Sequence, residues 1–172
     1  MHEYLIALRL VHILSGVLWA GGIFMLALFV IPAINASGAE GSKVMRQIAS
    51  TNHYATVMTI AATSNIIAGL LLYWQISRGL TVEWITSSQG ISISIGGSFA
   101  IIAYVIGMAV NRPSALRIAE IGGEIAAAGG KPTESQITEL NKLRKKITDG
   151  TNYMAYLLAI TVSAMAIARY IG

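Results

Sequence analysis

A chain of 172 residues that is 55% hydrophobic and only 12% charged is too poor in charge for a soluble domain, which carries about 25% charged residues. Lys and Arg outnumber Asp and Glu by 12 to 8. The basic residues sit beside apolar blocks, where they act as topology signals and not as contacts to nucleic acid. Cysteine is absent, which excludes disulfides, thiolate metal sites, cysteine-held iron–sulfur clusters and the covalent attachment of c-type haem.

The apolar residues fall in blocks, so a single integral membrane domain over residues 1–172 is expected. The fold class is an all-α membrane protein: a four-transmembrane-helix bundle with cytoplasmic helical extensions. The first span covers about Tyr4 to Ile31 and is expected to end at Pro32. Only Met1, His2 and Glu3 precede it, with no basic stretch, and it is about twice the apolar length of a signal peptide. The second span covers about Tyr54 to Trp74 and begins early, near Ser42. The third covers about Ile91 to Val110 and ends near Pro113, and the fourth covers about Tyr153 to Tyr170.

Between the last two spans lies a predicted helical hairpin over about 113–150. Leu116, Ile118, Ile121 and Ile125 recur at roughly helical spacing, Gly129-Gly130-Lys131-Pro132 forms a turn, and Thr133-x-x-Gln136 resembles a capping box. Ile137, Leu140, Leu143 and Ile147 then make a one-sided apolar stripe. Asp149-Gly150 either continues this helix into the fourth span or breaks it.

Nine basic residues lie in the 32–52 and 111–152 loops and three lie on the other side. The positive-inside rule then places both termini outside an inner (cell) membrane. Ala155, Ala159 and Ser163 recur at four-residue spacing, a small-residue stripe suited to close packing within the chain or in a homodimer.

Chemistry is concentrated in the first span, where Arg9 and His12 are the ionisable groups. Such groups are costly in hydrocarbon and usually face a bundle interior, and imidazole is a ready ligand for haem iron. Arg9, Gly16 and Trp19 follow or precede His12 at spacings that share its helix face. On that face Arg9 is placed for a haem propionate. Gly16 leaves room for a flat macrocycle or a close helix, and Trp19 for a contact with a ring edge. His53, at the start of the second span, is a second candidate iron ligand, and His2 reaches the outer site if the terminus folds back. His12 and His53 differ in depth by roughly 10 to 25 Å at 1.5 Å per residue, which argues against one haem shared between them. Met58, Met108, Met154 and Met165 are candidate second ligands or plain packing. Asp, Glu and Lys are absent from the spans, which argues against a carboxylate proton relay.

Arg9-x-x-His12-x6-Trp19-x-Gly21-Gly22-x-Phe24 resembles the opening helix of the CopD/HemJ-like integral membrane proteins. That group takes in copper-resistance protein D, HemJ-type protoporphyrinogen oxidases, the membrane part of PuuD-type urate oxidases and related uncharacterised proteins. Ala68-Gly69-Leu70-Leu71 and Met165-Ala-x-Ala168-Arg169-Tyr170 resemble the same group. The resemblance implies a helical bundle with His12 as a haem ligand. HemJ-type enzymes carry a basic residue in a later span, whereas Ile91 to Val110 has neither Lys nor Arg. The expectation is a membrane protein that binds haem b non-covalently and transfers electrons, with quinone or a redox protein as partner and a haem-dependent oxidoreductase as a possible enzyme class. Copper handling of the CopD type, with copper as the bound metal, is the alternative, and a non-redox scaffold is a third reading.

Overall fold

A computed structural model describes residues 2–50 and 53–171, with the side chains of His2, Ala39, Ser42, Arg46, Ala49 and Ser50 outside the description. The expectation for His2 therefore falls outside the described residues. The described chain is helical with no strands, and four of its helices are long and apolar enough to cross a membrane. These are α1 (Glu3–Ala36), α3 (Tyr54–Ile76), α5 (Ser88–Ala127) and α6 (Glu134–Tyr170). Two shorter helices complete the set: α2 (Gly38–Ser50), which follows α1, and α4 (Val82–Ile85), which precedes α5.

The long helices run antiparallel in chain order. Tyr54 Oη donates to the Gly22 carbonyl at 3.1 Å, and Asn65 Nδ2 to the His12 carbonyl at 2.7 Å, which sets α3 against α1. Ser92 Oγ donates to the Ala164 carbonyl at 2.8 Å and Thr161 Oγ1 to the Gly96 carbonyl at 3.0 Å, which interlocks α5 with α6. Both chain termini therefore lie at one end of the bundle. Hydroxyl-to-carbonyl bonds of this kind hold helices together where lipid supplies no hydrophobic drive between them. The outward faces are apolar: Leu14, Val17, Leu28 and Phe29 are each more than 60% exposed. Patches of that kind are rare on soluble monomers and mark a surface that meets something other than water. The chain is a multi-pass membrane protein.

Pro32 and Pro113 do not end their helices, which corrects the expectation for both. Proline lacks an N–H and its ring clashes with the carbonyl four residues back. In α1 the helix widens instead into a π-turn at Leu26–Val30, and the Ile31 N–H reaches the Leu26 carbonyl. In α5 the same device occurs at Gly107–Asn111, with the Arg112 N–H bonded to the Gly107 carbonyl. Each π-turn is followed by one residue and then the proline. A wide turn moves the crowded carbonyl out of the ring's way, so the helix passes through with its remaining ladder intact.

At 1.5 Å per residue, the 40-residue α5 is about 60 Å long, twice the roughly 30 Å hydrocarbon core. Its second half projects beyond the bundle with the first part of α6, and the two pack as the expected hairpin. Gly129 and Gly130 take φ of +88° and +84° at the turn. Thr133 and Gln136 form a full capping box at the start of α6. Ile121 is fully buried between the two helices. Beside it the Arg117 guanidinium reaches Glu139 through two bonds, at 2.8 and 3.3 Å, and also pairs with Glu120 and Glu124. These bonds hold the Glu139 carboxyl below its ordinary range.

The chain continues through Asp149-Gly150 as one helix, which settles the two readings of that dipeptide. The early start expected for the second span is not found. His53 adopts a left-handed conformation, φ +50°, that separates α2 from α3. The small-residue stripe is split. Ala155 packs inward with Leu158 and Thr161, whereas Ala159 and Ser163 face out, because four-residue spacing drifts off a face with 3.6 residues per turn.

Candidate functional site

The packing is uneven around the bundle. The α1/α3 and α5/α6 pairs are close throughout, but α3 and α5 diverge. Two side-chain bonds tie them, Thr63 Oγ1 to Tyr104 Oη at 3.1 Å and Tyr73 Oη to Ser94 Oγ at 2.7 Å. Ten residues, about 15 Å of helix, separate these ties along α3, and a cavity of about 350 Å³ opens there. Its walls include Ile66, Leu70, Ile93 and Ile101, and it falls within the roughly 300–1,000 Å³ range of ligand pockets. Tyr73, in its lining, packs edge-on against Trp84 of α4 at 5.4 Å.

His12 enters this cavity from α1. Its Nδ1 lies 3.0 Å from the Asn65 carbonyl oxygen. Asn65 Nδ2 lies 3.3 Å from the same nitrogen. With its proton on Nδ1 the ring donates to that carbonyl, and Nε2 then keeps its lone pair. Asn65, buried, spends its own Nδ2 on the His12 carbonyl and so clamps the histidine from both sides. Gly69 makes the slot for the ring: a Cβ there would stand 2.9 Å from His12 Cε1. A histidine that donates one ring N–H to a backbone carbonyl, with the other nitrogen free, has the arrangement found for imidazoles that ligate metals.

The other expected residues are distributed differently. Gly16 does not open the cavity; it lets α3 approach, since a Cβ there would meet Asn65 Nδ2 at 2.7 Å. Trp19 lies two turns beyond His12, is 3% exposed, and lines a second cavity of about 120 Å³ at the opposite end of the bundle. Arg9 is exposed, lines neither cavity, and has no hydrogen bond or ion pair with a described residue. Seven residues along a helix subtend about two turns, enough for neighbours on one stripe to meet different cavities. His53 is exposed at the α2–α3 break. It stands twelve residues, about 18 Å of α3, from the Asn65 that holds His12. The two histidines therefore do not face one cavity, in agreement with the depth estimated from their positions in the chain.

Asn65 and Gly69 complete the setting of His12. Gly69 falls in the Ala68-Gly69-Leu70-Leu71 element, but nothing local to either residue signals that it faces His12. No group of three or more His, Asp or Glu side chains gathers among the described residues. In comparisons with known proteins, no family model, curated protein or solved structure matches the chain.

Proposed function

We propose that this protein binds haem b non-covalently, with His12 as an axial ligand, and serves membrane electron transfer. The observation that carries the proposal is His12 itself, held at Nδ1 by Asn65 and lining an apolar cavity between α3 and α5. Haem b, when bound, supplies a one-electron iron couple whose potential follows its ligands and burial. The residues fit such a group. His12 offers the nitrogen, Gly97 leaves side-chain-free wall, and the aliphatic residues supply an apolar lining. The hydroxyls of Tyr73, Ser94 and Ser98 lie in the same wall, bonded to one another and to carbonyls of α5. Arg9, exposed near the same end, is then a cation for a propionate only at the cavity's rim. A quinone or a redox protein is the partner such a couple requires. Protein purified in mild detergent and titrated with haem b should take it up in a saturable way and show a Soret band. A chain that stays colourless after added haem would refute the proposal.

Copper handling is the second reading, and one observation favours it. Met45, Met58, Met108 and Met154 all line the smaller cavity, and thioethers suit Cu(I). Metal analysis of the purified protein separates the two.

The basic residues carry the orientation: the hairpin and α2 face the cytoplasm of an inner membrane, and both termini lie outside. A reporter fused after Gly172 should register as external and one inserted between Gly129 and Gly130 as cytoplasmic. The reverse pattern would overturn that orientation without touching the haem assignment.

A further inference from the structure

Six of the seven methionines of this chain are among the described residues, and they divide sharply by position. Met45, Met58, Met108 and Met154 gather round the smaller cavity, and Met25 is exposed on the outer face of α1. Met165 stands apart from them. It is the one methionine among the described residues that lines the His12 cavity. It comes from α6, a helix that shares no other residue with that cavity's lining. Gly96 of α5 makes way for it: a Cβ there would lie 3.1 Å from Met165 Cγ.

The helix directions tilt the two side chains toward each other's level. In an α-helix the Cα–Cβ bonds tilt toward the N-terminus. α1 and α6 run in opposite directions, so His12 leans toward the end of the bundle that carries the chain termini and Met165 leans away from it. Both line the cavity between α3 and α5. The remaining polar groups there are engaged: Tyr73 Oη with Ser94, Ser94 and Ser98 Oγ with carbonyls of their own helix, and Asn65 with His12. A thioether is a weak hydrogen-bond acceptor, and no hydrogen bond involves the Met165 sulfur among the described residues.

We propose that Met165 is the second axial ligand, so that the cavity holds haem iron between His12 Nε2 and Met165 Sδ. This rests on the haem reading above and goes beyond it by naming the ligand set. A histidine–methionine pair raises the reduction potential, which suits a carrier accepting electrons from a quinol.

The test uses the full chain in detergent, loaded with haem b, together with Met165→Leu, Met165→His and the control Met25→Leu. The native protein and the control should be low-spin, with the long-wavelength charge-transfer band of sulfur-ligated ferric haem, and should bind carbon monoxide poorly. Met165→Leu should keep its haem through His12 but become high-spin and open to carbon monoxide. Met165→His should return to low-spin, without the sulfur band and at a lower potential. An unchanged low-spin spectrum in Met165→Leu would overturn the ligand assignment and leave the haem reading standing. Loss of haem from both position-165 variants alike would also overturn it, since the residue would then act through packing. A native chain that takes up no haem would remove both proposals.

Discussion

Replacement of His12 by Ala should abolish stoichiometric haem binding, and added imidazole should restore part of it. The ring is the one nitrogen base in the larger cavity, and Met165 alone would leave the iron only a thioether. A gentler change tests the reason for its orientation. Gly69→Val would push a side chain into the slot that the imidazole fills, because even a Cβ there lies 2.9 Å from His12 Cε1. The ring would then lose its bond to the Asn65 carbonyl. Loss of such an orienting bond costs about 10- to 100-fold in metal affinity, so Gly69→Val should bind haem more weakly by that factor while folding normally. Haem titration monitored at the Soret band measures both. Full haem content with an unaltered spectrum in His12→Ala would sink the assignment.

Gly150→Ala should destabilise the bundle, although intrinsic helix propensity predicts the opposite. Gly150 sits inside α6, where Ala is favoured over Gly by about 1 kcal/mol. A Cβ at 150, however, collides with Asn111 Oδ1. Asn111 lies in the π-turn of α5 and has little freedom to retreat, since its Nδ2 donates to the buried Thr151 Oγ1 at 2.9 Å. Overpacking costs about 1–3 kcal/mol, which exceeds the propensity gain over most of that range. Thermal unfolding in detergent should therefore show a lower midpoint for Gly150→Ala. The sign should reverse in an Asn111→Ala background, where the added methyl has room. Asn111 Oδ1 is itself buried without a hydrogen-bond partner, so the background change removes one bond and one unsatisfied acceptor together. Equal effects of Gly150→Ala in the two backgrounds would show that the contact is not what sets the stability.

Both experiments turn on residues whose role depends on what stands across from them. The four spans, the hairpin, its Gly129-Gly130 turn and the Thr133–Gln136 cap were legible in the chain because they depend on local chemistry. Apolar run length against bilayer thickness, positive φ at glycine and a side chain capping its own backbone involve neighbours in sequence. His12 was legible for a related reason: an ionisable ring inside an apolar run is conspicuous whatever packs against it. The chain also determined that His12 and His53 stand at different depths, since rise per residue is a local quantity.

Pro32 and Pro113 show where local rules stop. Proline disfavours a regular helix, but a π-turn ahead of it lets α1 and α5 pass through, and packing of the long helices holds that wider turn in place. Face assignment had the same limit. Arg9, Gly16 and Trp19 share a stripe with His12, yet the tertiary structure sends them to the surface, to the α3 contact and to the smaller cavity. A helical stripe specifies a direction, whereas a cavity depends on how neighbouring helices diverge. That divergence of α3 from α5, with Asn65 and Gly69 opposite His12 and Met165 in the same lining, arises from pairings 21 to 72 residues apart in the chain. Only the folded bundle brings those groups to one place.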